Sequence, residues 1–105
     1  MKNEYGAVLD SNGYAPSILG PSTCCAVCFQ TNKHLQRHEV FHGPDRAKSK
    51  KYGLWIHVCP ECHDAIHHKG GELDMNLKKW AQRHAMVVYG WSVEDFRRRF
   101  RKNYV

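Results

Sequence analysis

Two Cys-x-x-Cys knuckles, Cys25-Ala-Val-Cys28 and Cys59-Pro-Glu-Cys62, constrain what this chain can fold into more than anything else in it. Two residues between cysteines let one tight turn bring both sulfurs to a single ion at about 2.3 Å, and a second such turn completes a tetrahedral zinc shell. One knuckle alone would fit a redox dithiol equally well. A second copy about thirty residues later fits a zinc ribbon. A disulfide framework does not fit, because the five cysteines are an odd number and no apolar secretory segment opens the sequence. Reduced thiols lead us to expect a cytoplasmic protein. Cys24 adjoins Cys25, and Cys24-x-x-x-Cys28 also falls within the permitted spacing. Equal geometry in the two knuckles favours Cys25 as the ligand and leaves Cys24 as a free or packed thiol.

At 105 residues the chain is expected to form one domain over 24–105, preceded by an extended arm over 1–23. So short a chain buries little apolar surface, and a zinc clamp offsets that shortage, so metal removal should unfold it. No apolar run approaches the roughly 18 residues that suggest a membrane span. The formal charge of +6 draws polyanions, and its distribution matters more than its size. Arg46, Lys48, Lys50 and Lys51 form one basic stretch, read as a loop, and Arg97, Arg98, Arg99, Arg101 and Lys102 form another near the end. Arg46, Lys48, Lys50, Lys51, Arg97, Arg98 and Arg101 are the candidate nucleic-acid contacts; the competing reading is a solvated face that keeps the protein soluble.

Asn12-Gly13, Pro16, Gly20 and Pro21 punctuate the arm, yet its Tyr5, Val8, Leu9, Tyr14, Ile18 and Leu19 suggest that part of it packs on the domain. Strands are predicted over Leu35 to Phe41 and Leu54 to Val58, with a short helix after Cys62 ending at Gly70-Gly71. Leu73, Leu77, Trp80, Ala81 and His84 recur at helical spacing, which predicts a helix over about Asp74 to Tyr89, stopped by Gly90. Ser92 and Asp95 read as a short-armed capping box opening a last helix, whose inner face carries Phe96 and Phe100. Trp55, Trp80 and Trp91 are expected in the core, and His34, His57 and His84 as ordinary surface or core residues.

His63 and His67 lie four apart directly after the second knuckle. On a helix they share a face and can hold one ion, given a third ligand from elsewhere. His38 and Glu39, on the first predicted strand, are the candidates, with His42 and His68 flanking them.

The order of knuckle, His-Glu strand, loop, strand, knuckle and His-x-x-x-His helix resembles the zinc-ribbon type of HNH (ββα-metal) endonuclease. The whole chain is similar to small HNH proteins encoded in bacteriophages and prophages: Asn12-Gly13-Tyr14-Ala15-Pro16-Ser17, Arg37-His38-Glu39-Val40-Phe41, Lys51-Tyr52-Gly53-Leu54-Trp55 and Trp91-Ser92-Val93-Glu94-Asp95-Phe96 carry the likeness. The resemblance implies an α+β fold, a ββα-metal core with a four-cysteine zinc ribbon, C-terminal helices and an N-terminal arm.

It implies an enzyme that hydrolyses DNA phosphodiester bonds with a divalent ion (Mg²⁺, Mn²⁺, Ni²⁺ or Zn²⁺) beside the structural Zn²⁺. The ion would be held by His63, His67 and a strand residue. In one register His38 is the ligand and Glu39 the base that activates water; in the other His38 is the base and Glu39 the ligand. An unperturbed glutamate with a pKa of about 4.3 is a weak base at neutral pH. The family's loop asparagine has no counterpart between His38 and Cys59, where Asp45 and Ser49 are the candidate stand-ins. A lone domain of this size is expected to nick one strand, and cutting both would take a homodimer or another partner. The rival reading is a zinc-ribbon module that binds nucleic acid without cutting it, or a recombination or repair accessory protein; same-face histidines opposite a His-Glu strand favour the enzyme.

Overall fold

The computed structural model describes residues 1–31, 34–68 and 71–105. Two short strands, β1 (Gln36–Glu39) and β2 (Trp55–Val58), pair antiparallel with Gln36 opposite Val58 and Glu39 opposite Trp55. Both are shorter than the runs predicted; past Glu39 and Trp55 the Val40 N–H still bonds the Leu54 carbonyl at 3.1 Å, and Val40, Phe41 and Leu54 are buried in the core. Where the ladder ends, Ser49 takes over. Its wholly buried hydroxyl accepts from the Phe41 N–H at 3.1 Å and donates to the Leu54 carbonyl at 2.5 Å, closing the loop between the strands.

That loop is not irregular as expected. A 3-10 turn at Gly43–Asp45 leads into a six-residue helix, α1 (Arg46–Lys51). So short and basic a helix has no stability of its own, and its cause is tertiary: Ser49 is anchored inside the protein and Arg46 on Glu39. Helix α2 (Pro60–His68) starts inside the second knuckle rather than after it. Pro60 takes the first helical position, where its missing N–H costs nothing, and the His63 N–H already bonds the Cys59 carbonyl at 2.9 Å. Of the expected Gly70-Gly71 stop signal, Gly70 lies outside the described residues, and Gly71 is the first residue of α3 (Gly71–Tyr89). The extra turn brings Glu72 and Asp74 to the positive end of the α3 dipole.

Gly90 ends α3 with φ +69°, and the Trp91 N–H returns to the Met86 carbonyl at 3.0 Å. The last helix, α4 (Val93–Phe100), opens on the predicted Ser92/Asp95 capping box, with both reciprocal bonds made. Phe96 and Phe100 lie under it against Phe41, at ring separations of 5.4 and 4.8 Å. Trp55 and Trp91 are in the core, whereas Trp80 is only partly buried at its edge. Buried Gln82 on α3 clamps the C-terminal tail through Asn103 and the Tyr104 N–H.

Residues 1–23 are stitched to α1 and β2. Ala15 and Ile18 N–H groups bond the carbonyls of Lys50 and Gly53, the Trp55 indole bonds the Ala15 carbonyl, and buried Asn3 bonds the Lys51 carbonyl. The approach is closest at Gly53 (φ +70°), where a Cβ would stand 2.3 Å from the Pro16 carbonyl oxygen. The result is a small α+β domain with a two-stranded sheet and four α-helices among the described residues. No helix among them is long and apolar enough to cross a membrane.

Candidate metal centre

The fold gathers Cys25, Cys28, Cys59 and Cys62 so that all four sulfurs lie within 4.8 Å of one another. Cys24 is outside the cluster, as the equal-knuckle argument expects. Cys25 and Cys59 are buried, and Cys28 Sγ stands 3.8 Å from Cys59 Sγ. Backbone N–H groups of Val27 and Cys28 point at Cys25 Sγ at 3.4 and 3.5 Å. Burial pushes the Cys25 thiol up, but the N–H groups around it outweigh burial and hold it below its ordinary value. Four thiols with one biased towards thiolate fit a tetrahedral zinc ion.

A second cluster also draws on α2. One ring nitrogen from each of His38, His63 and His67 falls within 4.8 Å of the other two. Their rings are 4.9 to 5.3 Å apart. The geometry has a simple origin: β1 delivers His38 and one turn of α2 delivers the histidine pair. His38 is 2 % exposed, and its Nε2 is buried without a hydrogen-bond partner. Burial, together with the charge that neighbouring His63, His67 and His42 would carry, lowers its pKa to about 4. Burial and His67 also lower that of His63. Burial that disfavours the protonated form of His38 and His63 suits them to a divalent ion, which binds neutral imidazole.

Sequence reasoning missed Gln36, whose side-chain carbonyl lies 2.8 Å from His63 Nδ1. Accepting the Nδ1 proton would leave Nε2 of His63 as the ligand atom. Strand alternation carried the signal, since Gln36 and His38 are two apart and share a face.

Glu39 is buried beside His38, but both its oxygens are engaged. Arg46 Nε donates to Oε1 at 2.5 Å and the Tyr14 hydroxyl to Oε2 at 2.9 Å. Burial pushes the carboxyl up, yet the bonds from Arg46 and Tyr14 prevail and hold it below the ordinary range. The geometry favours His38 as ligand and makes Glu39 an anchor for Arg46. A cavity of about 320 Å³ opens over the three histidines, its wall completed by Tyr14, Arg37, Glu39, His42 and Arg46.

The basic stretches come together. Lys48 Nζ donates to the Arg99 carbonyl, and Arg101 pairs with Asp45 at 3.0 Å, which joins α1 to the end of α4. Lys50 lies over the Tyr14 ring at 4.8 Å, and Lys51 pairs with Glu4 at 3.7 Å. Arg97 and Arg98 pair with Glu94 and Asp95 one turn back, so acids offset part of the positive field. His34 and the flanking His68 are exposed and give no atom to the ligand cluster. His57 is partly buried, its Nδ1 without a partner.

Compared with family models, curated proteins and solved structures, the chain finds no match in any of the three.

Proposed function

We propose that this protein is a metal-dependent nuclease of the HNH type, which hydrolyses DNA phosphodiester bonds and, as a single domain, nicks one strand. The observation that carries the reading is the cluster of His38, His63 and His67, each offering a ring nitrogen within 4.8 Å of the others under a cavity lined by Arg37 and Arg46, with His38 buried and its Nε2 unpartnered. An orphaned buried polar atom costs free energy unless something satisfies it, and in a three-histidine cluster that something is a cation. The donor set fits the ion that the resemblance implies.

A divalent ion held by His38, His63 and His67 would supply positive charge against a scissile phosphate oxygen and the leaving 3′ oxygen. The chain's own residues do the rest. Gln36 fixes the His63 ring. Glu39 and Tyr14 hold the Arg46 guanidinium at the cavity rim, where its remaining N–H groups can take phosphate oxygens. Lys48, Lys50 and Lys51 on α1 and Arg97, Arg98 and Arg101 beyond it offer contacts to the flanking backbone. Such contacts carry no sequence information, so weak specificity and steep salt dependence follow. Ser49 bridges the two strands and takes the part of the family's loop asparagine. A zinc ion held by Cys25, Cys28, Cys59 and Cys62 would fix the start of α2, from which His63 and His67 project.

The test is nicking of supercoiled plasmid by zinc-loaded protein in EDTA, Mg²⁺, Mn²⁺ or Ni²⁺, beside His38→Ala and His63→Ala variants checked for retained zinc. Metal-dependent nicking lost in both variants supports the reading. A wild-type protein silent with every ion that still shifts DNA in a gel would instead be a non-catalytic zinc-ribbon binding module.

A further inference from the structure

A phosphodiesterase site also needs a group to take the proton of water, and neither strand residue is suited to it. His38 gives a ring nitrogen to the ligand cluster, and Glu39 is committed to Arg46 and Tyr14.

His42 lies just past β1, where the chain enters the Gly43–Asp45 turn, and it lines the same cavity. Its ring is 6.0 Å from that of His38 and 5.8 Å from that of His67, yet it contributes no atom to the ligand cluster. From α3, Asp74 Oδ1 stands 3.1 Å from His42 Nε2, and Asp74 is itself held by Lys78 at 2.9 Å. The Asp74 carboxyl is pushed up by burial, but Lys78 and His42 outweigh this and keep it ionised. An ionised carboxylate only accepts, so Nε2 is the donor of this bond, and in the neutral ring the lone pair is then on Nδ1. A histidine whose tautomer is set by a carboxylate, beside a metal cluster and in the substrate cavity, is a general-base arrangement.

We propose that His42 is the catalytic base of this site and Asp74 the residue that positions it, an assignment that rests on the nuclease reading. In the step, a water proton passes to His42 Nδ1 as the water oxygen bonds phosphorus. The P–O3′ bond breaks with its electron pair on O3′, which takes a proton from solvent; no oxidant or reductant is involved. His42 then returns its proton to solvent. Asp74 ties α3 to this chemistry and gives the long helix a part in the site that the sequence reading did not assign.

The experiment is single-turnover nicking with His42→Ala, His42→Gln and Asp74→Asn, each checked for zinc content and for binding of Mn²⁺ at the histidine cluster by calorimetry. His42→Gln guards against misfolding, since its amide can still bond Asp74. Loss of about 10²- to 10⁴-fold in rate is expected in both His42 variants. Mn²⁺ affinity should stay unchanged, and added imidazole should restore part of the rate to His42→Ala. Asp74→Asn should lower the rate constant with little change in apparent DNA affinity, which a purely structural contact would not do. Nicking by His42→Ala within about threefold of wild type, or loss of the Mn²⁺ ion from it, would overturn the assignment while leaving the nuclease reading standing. A wild type that never nicks would overturn both.

Discussion

The side-chain carbonyl of Gln36 stands 2.8 Å from Nδ1 of His63, so a strand residue sets the tautomer of a helix histidine in the three-histidine cluster. Outer partners of this kind are worth about 10- to 100-fold in metal affinity. Gln36→Ala should weaken binding of Mn²⁺ or Ni²⁺ to the zinc-loaded protein by that factor, with unfolding midpoint and zinc content preserved. Calorimetric titration checks it.

The pair between Glu39 and Arg46 predicts a pH signature. The folded-state pKa of Glu39 lies below its ordinary value of 4.5, so the carboxylate stabilises the fold at every pH above that value. The contribution shrinks as pH falls below 4.5 and vanishes once pH passes beneath the lowered folded value. The difference in urea midpoint between wild type and Glu39→Gln should therefore be constant near neutrality and close under acid. Because zinc thiolates titrate in both proteins, the difference isolates Glu39.

Gly53 is where arm and domain meet. A side chain there would need a left-handed backbone and would drive its Cβ to 2.3 Å from the Pro16 carbonyl oxygen. Gly53→Ala should cost about 2 kcal/mol or more by thermal denaturation. It should also loosen the arm, seen as faster proteolysis before Ala15.

Zinc is expected to be a folding ligand. A strong chelator should abolish the helical circular dichroism signal, and added zinc should restore it. Cys25→Ser should behave as the chelated protein does, while Cys24→Ser should keep its zinc, because Cys24 lies outside the sulfur cluster.

Much of this arrangement is legible in the residues because its physics is local. The knuckles, the His63/His67 pair and the Ser92/Asp95 box are short-range patterns, and the structure brings each together. Helix α1 reads as a loop in the sequence because six residues carry no period to recognise; its anchors, Ser49 with Leu54 and Arg46 with Glu39, are tertiary. The bond between His42 and Asp74 spans 32 positions and has no sequence signature at all. From its position Glu39 reads as either base or metal ligand, and its contacts with Tyr14 and Arg46 are tertiary features that the sequence does not carry.

In the proposed nuclease, His38, His63 and His67 form a metal site separate from the four thiols. Its most direct test is a calorimetric titration of zinc-loaded protein with Mn²⁺ or Ni²⁺, beside His38→Ala. The account predicts one further ion bound by the wild type and none by the variant, with zinc retained in both. Equal binding by both proteins, or by neither, would contradict it.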